Sequence, residues 1–282
     1  MTNDTPNFRL HFAAVGPQRT GTTWMDTMLR EHAALCLPKD VKETKFFDHH
    51  HEQGLAWYAW HFRHCAGEAL PGEVAPTYFD DEAARRRLRA HNPDCKIIIT
   101  LRNPVERASS LYLHHRRKGR VPADVRAAAR QIPRIIEAGR YSRHVPRWLD
   151  AFGPGQVLCV LLDDVKTCPA QVVERVCAFL EVEPIAPPNK AERVNAASLP
   201  RFPWLARLAA VLVTKLRERR FHQIVEWGKA LGLKQVFEGR NEEVPKLKRE
   251  AQRRLLDDFE EDVRFVEQHL ERDLSSWRRP AA

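Results

Sequence analysis

One stretch constrains the fold more than any other: Val15-Gly16-Pro17-Gln18-Arg19-Thr20-Gly21-Thr22-Thr23-Trp24-Met25. The apolar run over residues 12–15 leads into it and reads as a short buried strand. Gly16 and Gly21 bracket a tight loop. Beyond it, Trp24, Met25, Met28 and Leu29 repeat at helical spacing, which starts a helix near Thr22. Strand, glycine-bounded loop and helix N-terminus together make a phosphate cradle. Loop N–H groups converge on the anion and the helix dipole adds partial positive charge. The G-x-x-x-x-G spacing is that of a P-loop, yet Thr22 stands where a nucleotide triphosphatase carries Lys. The nearest cation is Arg19, inside the loop.

The rest of the chain narrows the partners. A formal charge of +9 points to an anion: nucleic acid, anionic lipid, acidic glycan or a multiply phosphorylated nucleotide. No zinc-finger, homeodomain or RNA-recognition pattern is present, so no nucleic-acid partner is expected. The 282 residues fit a single α/β domain. Residues 1–9 show no basic segment followed by an apolar one, so no signal peptide is expected. The six cysteines form no C-x-x-C pair and sit mostly in apolar contexts. They read as reduced core thiols of a cytoplasmic protein, and no metal site is expected from their spacing.

Strands and helices alternate along the chain. Strand one covers roughly residues 10–15 and helix one roughly 22–34. Residues 42–48, rich in charge and aromatics, read as a functional loop, and His49-His50-His51 as a loop or helix start. Residues 55–65 read as a helix with Trp57, Trp60 and His61 on one face, packed in the core or lining a cleft. Residues 72–76 read as a strand and 80–91 as a helix. Residues 96–101, nearly all β-branched, are a strand buried on both faces. They run into Arg102, then Asn103 as N-cap, Pro104 at the first helical position and Glu106 completing a capping-box-like start. Further helices are expected over 121–139 and 141–152, a strand over 156–162 ended by Asp163-Asp164, and a helix from Pro169. A long helix is expected from Pro245 to about Leu270, striped by Leu255, Phe259, Val263, Val266 and Leu270. Residues 199–233 are basic, apolar and helical in rhythm, and are expected to border the acceptor site or touch lipid. The pattern is a three-layer α/β/α fold with a central parallel sheet, P-loop-like in kind.

Ligands of such sheets bind at the carboxyl ends of the strands. The residue 16–23 loop, the Arg102 junction and the loop holding Lys42 and Glu43 all lie there. Two anion sites on one sheet suit a ligand with two separated phosphates. At this point the residues resemble a family. Gly16 to Trp24 resembles the 5′-phosphosulfate loop of the sulfotransferases, apart from its Arg19. Arg102-Asn103-Pro104-Val105-Glu106-Arg107-Ala108-Ser109-Ser110 resembles their 3′-phosphate motif. Lys42-Glu43-x-x-Phe46-Phe47-Asp48 and Glu73-x-x-Pro76-Thr77-Tyr78-Phe79 are similar to motifs of the heparan-sulfate branch, and the terminal segment through Trp277 to bacterial relatives.

The resemblance implies sulfuryl transfer from 3′-phosphoadenosine 5′-phosphosulfate to a hydroxyl or amine, with adenosine 3′,5′-bisphosphate as product and no metal. It implies an acceptor that is a glycan, a glycolipid or another small molecule. Gln18, Arg19, Thr20, Gly21, Thr22, Thr23 and Trp24 would hold the 5′ end of the donor, Arg102 and Ser110 the 3′-phosphate, and Arg240 the adenosine phosphates. Glu43 would be the general base and Lys42 would balance charge or contact the donor. Arg19 stands where close relatives usually carry Lys, and Val74 where that branch often carries a catalytic-site Lys. Other readings stay open. Glu43 is an ion-pair partner of Lys42, Lys45 or Arg19; Ser110 is an ordinary helix residue; Glu73 is a buried hydrogen-bonding group; or His114 or His115 is the base. At the level of the whole chain the alternatives are a P-loop kinase or ATPase, with Asp163-Asp164 as metal-holding carboxylates, and a non-catalytic basic binding module.

Overall fold

The structure, a computed structural model, describes residues 8–188, 247 and 249–279. Five strands form one parallel sheet in the order β2-β3-β1-β4-β5. They are β1 (Phe12–Ala14), β2 (Leu35–Cys36), β3 (Leu70–Val74), β4 (Lys96–Leu101) and β5 (Val157–Leu161). Helix α1 (Thr22–Glu31) follows β1, α2 (Gly54–Trp60) and then β3 follow the charged loop, and α3 (Glu82–His91) leads to β4. After β4 come α4 (Pro104–Arg117), α5 (Val125–Gln131), α6 (Arg134–Glu137) and α7 (Tyr141–Phe152). After β5 come α8 (Leu162–Thr167) and α9 (Pro169–Leu180), and the described C-terminal part holds α10 (Arg249–Asp258) and α11 (Glu260–Leu270).

The period-two alternation of the strands sorts the layers. Phe12, Ala14, Ile98 and Val160 face α1 and α9, where Met25, Met28, Leu29, Val172, Val173 and Val176 cover them. Ala13, Val15, Ile97, Ile99 and Leu101 face α3, α7 and α11, through Leu88, Val145, Trp148, Val263 and Val266. Both faces of β4 are therefore covered, which is why its β-branched run shows no polar alternation. Each such buried aliphatic side chain stabilises the fold by roughly 1.5–3 kcal/mol. The expected three-layer α/β/α architecture is the one observed. The connections from β1 and β4 part in opposite directions, so a crevice opens at their carboxyl ends.

Several expectations need correction. The single long helix after Pro245 is two helices, broken at Phe259, whose φ of −108° and ψ of 8° leave the helical region. The break lets one apolar stripe serve two clusters: Leu255 and Phe259 pack with α4 and α5, while Val263 and Val266 pack on the sheet. In α2 the fully buried aromatic is Tyr58, and Trp57 and Trp60 are half-buried. The cysteines are not all thiols. Cys36 and Cys65 form a disulfide across 29 residues, because the end of β2 and the segment after α2 meet at a Cα separation of 5.7 Å. Cys95, Cys159, Cys168 and Cys177 are free. No described helix is long and apolar enough to cross a membrane. The basic segment 199–233 and Arg240 lie outside the described residues.

Candidate functional site

The site is built where β1 and β4 end. Gly16 lies against β4 so closely that a Cβ would sit 2.1 Å from Thr100 Oγ1 and 2.3 Å from its backbone nitrogen, so only glycine fits. Gly21 is the N-cap of α1 with φ 96°, a left-handed conformation natural to glycine. Arg19 also takes positive φ, 76°, which is uncommon for a side-chain-bearing residue and turns the loop back on itself. Buried Thr20 locks the loop, donating to Pro17 O at 2.6 Å and sharing a 2.6 Å hydrogen bond with Thr100 Oγ1. Helix α1 then begins at Thr22 with no side-chain cap and no acidic residue in its first turn. Its leading N–H groups, on Thr22, Thr23 and Trp24, form an anion-ready helix terminus. Gln18 is half-buried in the turn.

The second junction meets the first. Arg102 NH1 donates to Arg19 O at 3.2 Å, and Arg19 Nε donates to Ser110 Oγ at 2.9 Å. The two motifs, far apart in sequence, thus share one cluster of side chains. Asn103 caps α4, accepting from Val105 N at 3.0 Å and Glu106 N at 3.3 Å. Glu106 does not close a capping box. It turns to Arg102 instead, at 2.8 Å from NH2 and 3.1 Å from Nε, since a guanidinium is a stronger donor than a backbone amide. Arg19 has its pKa lowered by burial and by the nearby charges of Arg102 and Arg117. Glu106 offsets Arg102, whereas Arg19 pairs with no carboxylate among the described residues, and that uncompensated charge favours a bound anion.

The third piece is the loop after β2. Lys42 Nζ donates to Thr23 Oγ1 at 3.2 Å, so the lysine spans from this loop to the head of α1. Glu43 is half-buried, and among the described residues its carboxylate has no hydrogen-bond partner. Burial raises its pKa, opposed by the charges of Lys42 and Lys45. A carboxylate so placed is a stronger base than one in water. The histidine alternative is weaker, since burial and neighbouring cations hold His114 down to about 3 and His115 to about 4.

Sequence reasoning missed how this loop is held. Glu73 is fully buried and accepts from Thr44 Oγ1 at 2.6 Å and from Tyr58 OH at 2.9 Å. Burial raises its pKa to about 7, against the hydrogen bonds that favour its charged form. Tyr78 OH accepts from Phe47 N at 3.1 Å. Glu73 therefore fixes Thr44, the residue next to Glu43, from inside the core. The hydrogen-bonding reading of Glu73 is the one its geometry supports. Two further anchors also went unread. Tyr141 OH donates to Arg102 O at 2.8 Å, and Asn103 Nδ2 donates to Trp277 O at 2.9 Å. Asp163 accepts from Trp277 Nε1 at 2.7 Å and Asp164 from Arg272 at 3.0 Å, so both carboxylates serve to close the C-terminal segment.

A family model for the sulfotransferase domain matches residues 11–197, which contain Arg19, Lys42, Glu43, Glu73, Arg102 and Ser110. The chain belongs to the sulfotransferase domain family. It is 35% identical over 194 residues to the human bifunctional heparan sulfate N-deacetylase/N-sulfotransferase 2, a match over 61% of this chain and 22% of that protein. It is 30% identical over 210 residues to the Drosophila melanogaster bifunctional heparan sulfate N-deacetylase/N-sulfotransferase, over 62% of this chain and 20% of that protein. The chain thus spans about a fifth of the length of these relatives. The crystal structure of a sulfotransferase from Alicyclobacillus acidocaldarius superposes with a TM-score of 0.67 at 25% identity, covering 96% of this chain and all of that one. The sulfotransferase's parallel sheet and flanking helices agree with the P-loop-like fold expected from the sequence. Asp163 and Asp164, the carboxylates that the kinase alternative needs for a metal, are engaged by Trp277 and Arg272.

Proposed function

We propose that the chain transfers a sulfuryl group from 3′-phosphoadenosine 5′-phosphosulfate to a hydroxyl or amine of a carbohydrate acceptor. The observation that carries this reading is the cluster of Arg19, Ser110 and Arg102, which joins the two anion motifs into one continuous surface. The residues present fit such a donor. The uncapped first turn of α1 and the guanidinium of Arg19 suit its 5′ end. Arg102 and Ser110 suit its 3′-phosphate. The donor, when bound, supplies the sulfuryl group. Arg19, Lys42 and the N–H groups of Thr22, Thr23 and Trp24 stabilise negative charge at the leaving phosphate. Glu43, desolvated and beside Lys42, accepts the acceptor's proton.

A carbohydrate acceptor is supported by the heparan sulfate relatives and by charge. Lys45 and Lys118 are close enough to influence each other electrostatically, and Arg120 adds to them. Lys45 is also within electrostatic reach of Glu43, so these cations suit an acidic glycan. Glycolipids and hydroxylated small molecules are the competing acceptors. Incubation with sulfur-labelled donor and a panel of desulfated glycosaminoglycans, glycolipids and phenols tests the proposal. Label is expected on the glycans. Label confined to phenols would contradict the acceptor class, and label nowhere would contradict the transfer itself.

A further inference from the structure

The Cys36–Cys65 disulfide encloses the segment that carries Lys42, Glu43 and Thr44. Its two sulfurs are unequal. Cys36 is 7% exposed, whereas Cys65 is half-buried and followed by exposed Ala66, Gly67 and Glu68. The exposed imidazole of His64 places Nε2 3.4 Å from Cys36 Sγ. Thiolate attack on a disulfide is governed by access to one sulfur and by how well the other leaves. Here the accessible sulfur is Cys65, and the sulfur beside an imidazole nitrogen is Cys36. A histidine next to a thiolate stabilises it. The three groups therefore match the parts needed for directed cleavage.

The segment after Cys36 is held from two sides. Toward α1, Leu37 is buried, Arg30 donates to Pro38 O at 2.7 Å and to Val41 O at 3.4 Å, and Lys42 reaches Thr23 Oγ1 at 3.2 Å. Toward the Cys65 side, Lys39 N donates to His61 O at 3.4 Å and Asp40 pairs with Arg63 at 2.8 Å, so these two contacts depend on the same closure as the bridge. Residues from Thr44 onward are pinned separately by Glu73 and by buried Phe46 and Phe47. Opening the bridge thus leaves residues 39–43 held by their α1 contacts alone and leaves the core, Leu37 included, in place.

We propose that Cys36–Cys65 is a thiol–disulfide exchange site that controls the order of the loop bearing Glu43, with a dithiol reductant as its partner. One thiolate of the reductant attacks Cys65 Sγ, the S–S bond breaks, and its electron pair leaves on Cys36, which takes a proton from His64. The reductant's second thiolate then attacks its own sulfur in the mixed disulfide and releases Cys65. Two electrons pass to the protein, solvent protonates the Cys65 thiolate and returns the proton that His64 gave up, and the reductant becomes a disulfide. The consequence for turnover rests on Glu43 being the base.

The test compares the full chain before and after treatment with dithiothreitol. Free thiols should rise from four, the count in the bridged form, to all six. Hydrogen exchange should quicken over residues 39–43. Turnover should fall roughly tenfold or more, as expected for a displaced base, while adenosine 3′,5′-bisphosphate still binds through Arg19, Arg102 and Ser110. His64→Ala should slow cleavage of the bridge, and the Cys36→Ser/Cys65→Ser double variant should show the reduced behaviour without reductant. Equal exchange over residues 39–43 in both forms would overturn the proposal. So would six free thiols in protein never exposed to reductant, or uptake of one zinc per reduced chain, which would make Cys36, His64 and Cys65 a metal site. Redox-dependent exchange with no turnover in either form would instead count against Glu43 and the proposed transfer alone.

Discussion

At the scale of single residues, Glu43 and Glu73 divide two tasks between a half-buried carboxyl and a fully buried one. Glu43 has no hydrogen-bonded partner among the described residues and lies beside Lys42, with its pKa raised by burial. Glu43→Gln is expected to lower kcat by about 10²–10⁴-fold, the usual worth of general base catalysis, and to leave bisphosphate binding intact. Unchanged turnover would remove Glu43 as the base. Loss of binding as well would mean that it shapes the donor site. In the wild type, the acid limb of kcat/KM should inflect above 4.5, the ordinary glutamate value. Glu73 makes a different prediction. Its pKa of about 7 lies above the ordinary 4.5, so the folded protein holds a proton that the unfolded chain has released between those values. Stability should therefore fall as pH rises through that window, by roughly 3 kcal/mol in all, and level off above it. Chemical denaturation from pH 4 to 8 reads this directly, and Glu73→Gln should flatten the slope. The same slope in both proteins would contradict the assignment.

At the scale of elements, the site depends on backbone approaches that only certain residues allow. Gly16→Ala would drive a methyl group into the backbone of Thr100 in β4. It should cost about 1–3 kcal/mol or more in thermal or chemical denaturation, because a strand backbone cannot yield as a side chain does. A cost below about 0.5 kcal/mol, the range of neutral surface changes, would mean the crevice is looser than described. The elements that carry strong local signals were legible in the sequence. The buried run of β4, the Asn103-Pro104 start of α4 and the Val145-Trp148-Phe152 stripe of α7 each follow from short-range chemistry. What escaped had no local signature. Strand β2 is two residues long, too short to show a period. The break at Phe259 has neither Gly nor Pro, and arises because two tertiary clusters compete for one stripe. Pairing of Cys36 with Cys65 depends on where α2 returns to the sheet, which spacing alone does not encode.

At the scale of the whole molecule, the chain folds so that distant motifs become neighbours. Arg19 and Ser110 are 91 residues apart in sequence and 2.9 Å apart in space. The three cationic contributors Arg19, Lys42 and Arg102 were all legible as residues. Their mutual arrangement was not, and nor were the contacts that hold it from Glu73, Tyr141 and Trp277. The C-terminal segment is part of the site's frame, since Trp277 links Asn103 at the end of β4 to Asp163 after β5. The central claim is that one nucleotide with two separated phosphate groups spans both junctions. Titration calorimetry with adenosine 3′,5′-bisphosphate tests it most directly. The account predicts one site per chain in the absence of metal, weakened by Arg102→Ala and weakened again at higher salt, as paired charges are screened. No binding of the bisphosphate, or tighter binding of magnesium-ATP, would contradict it.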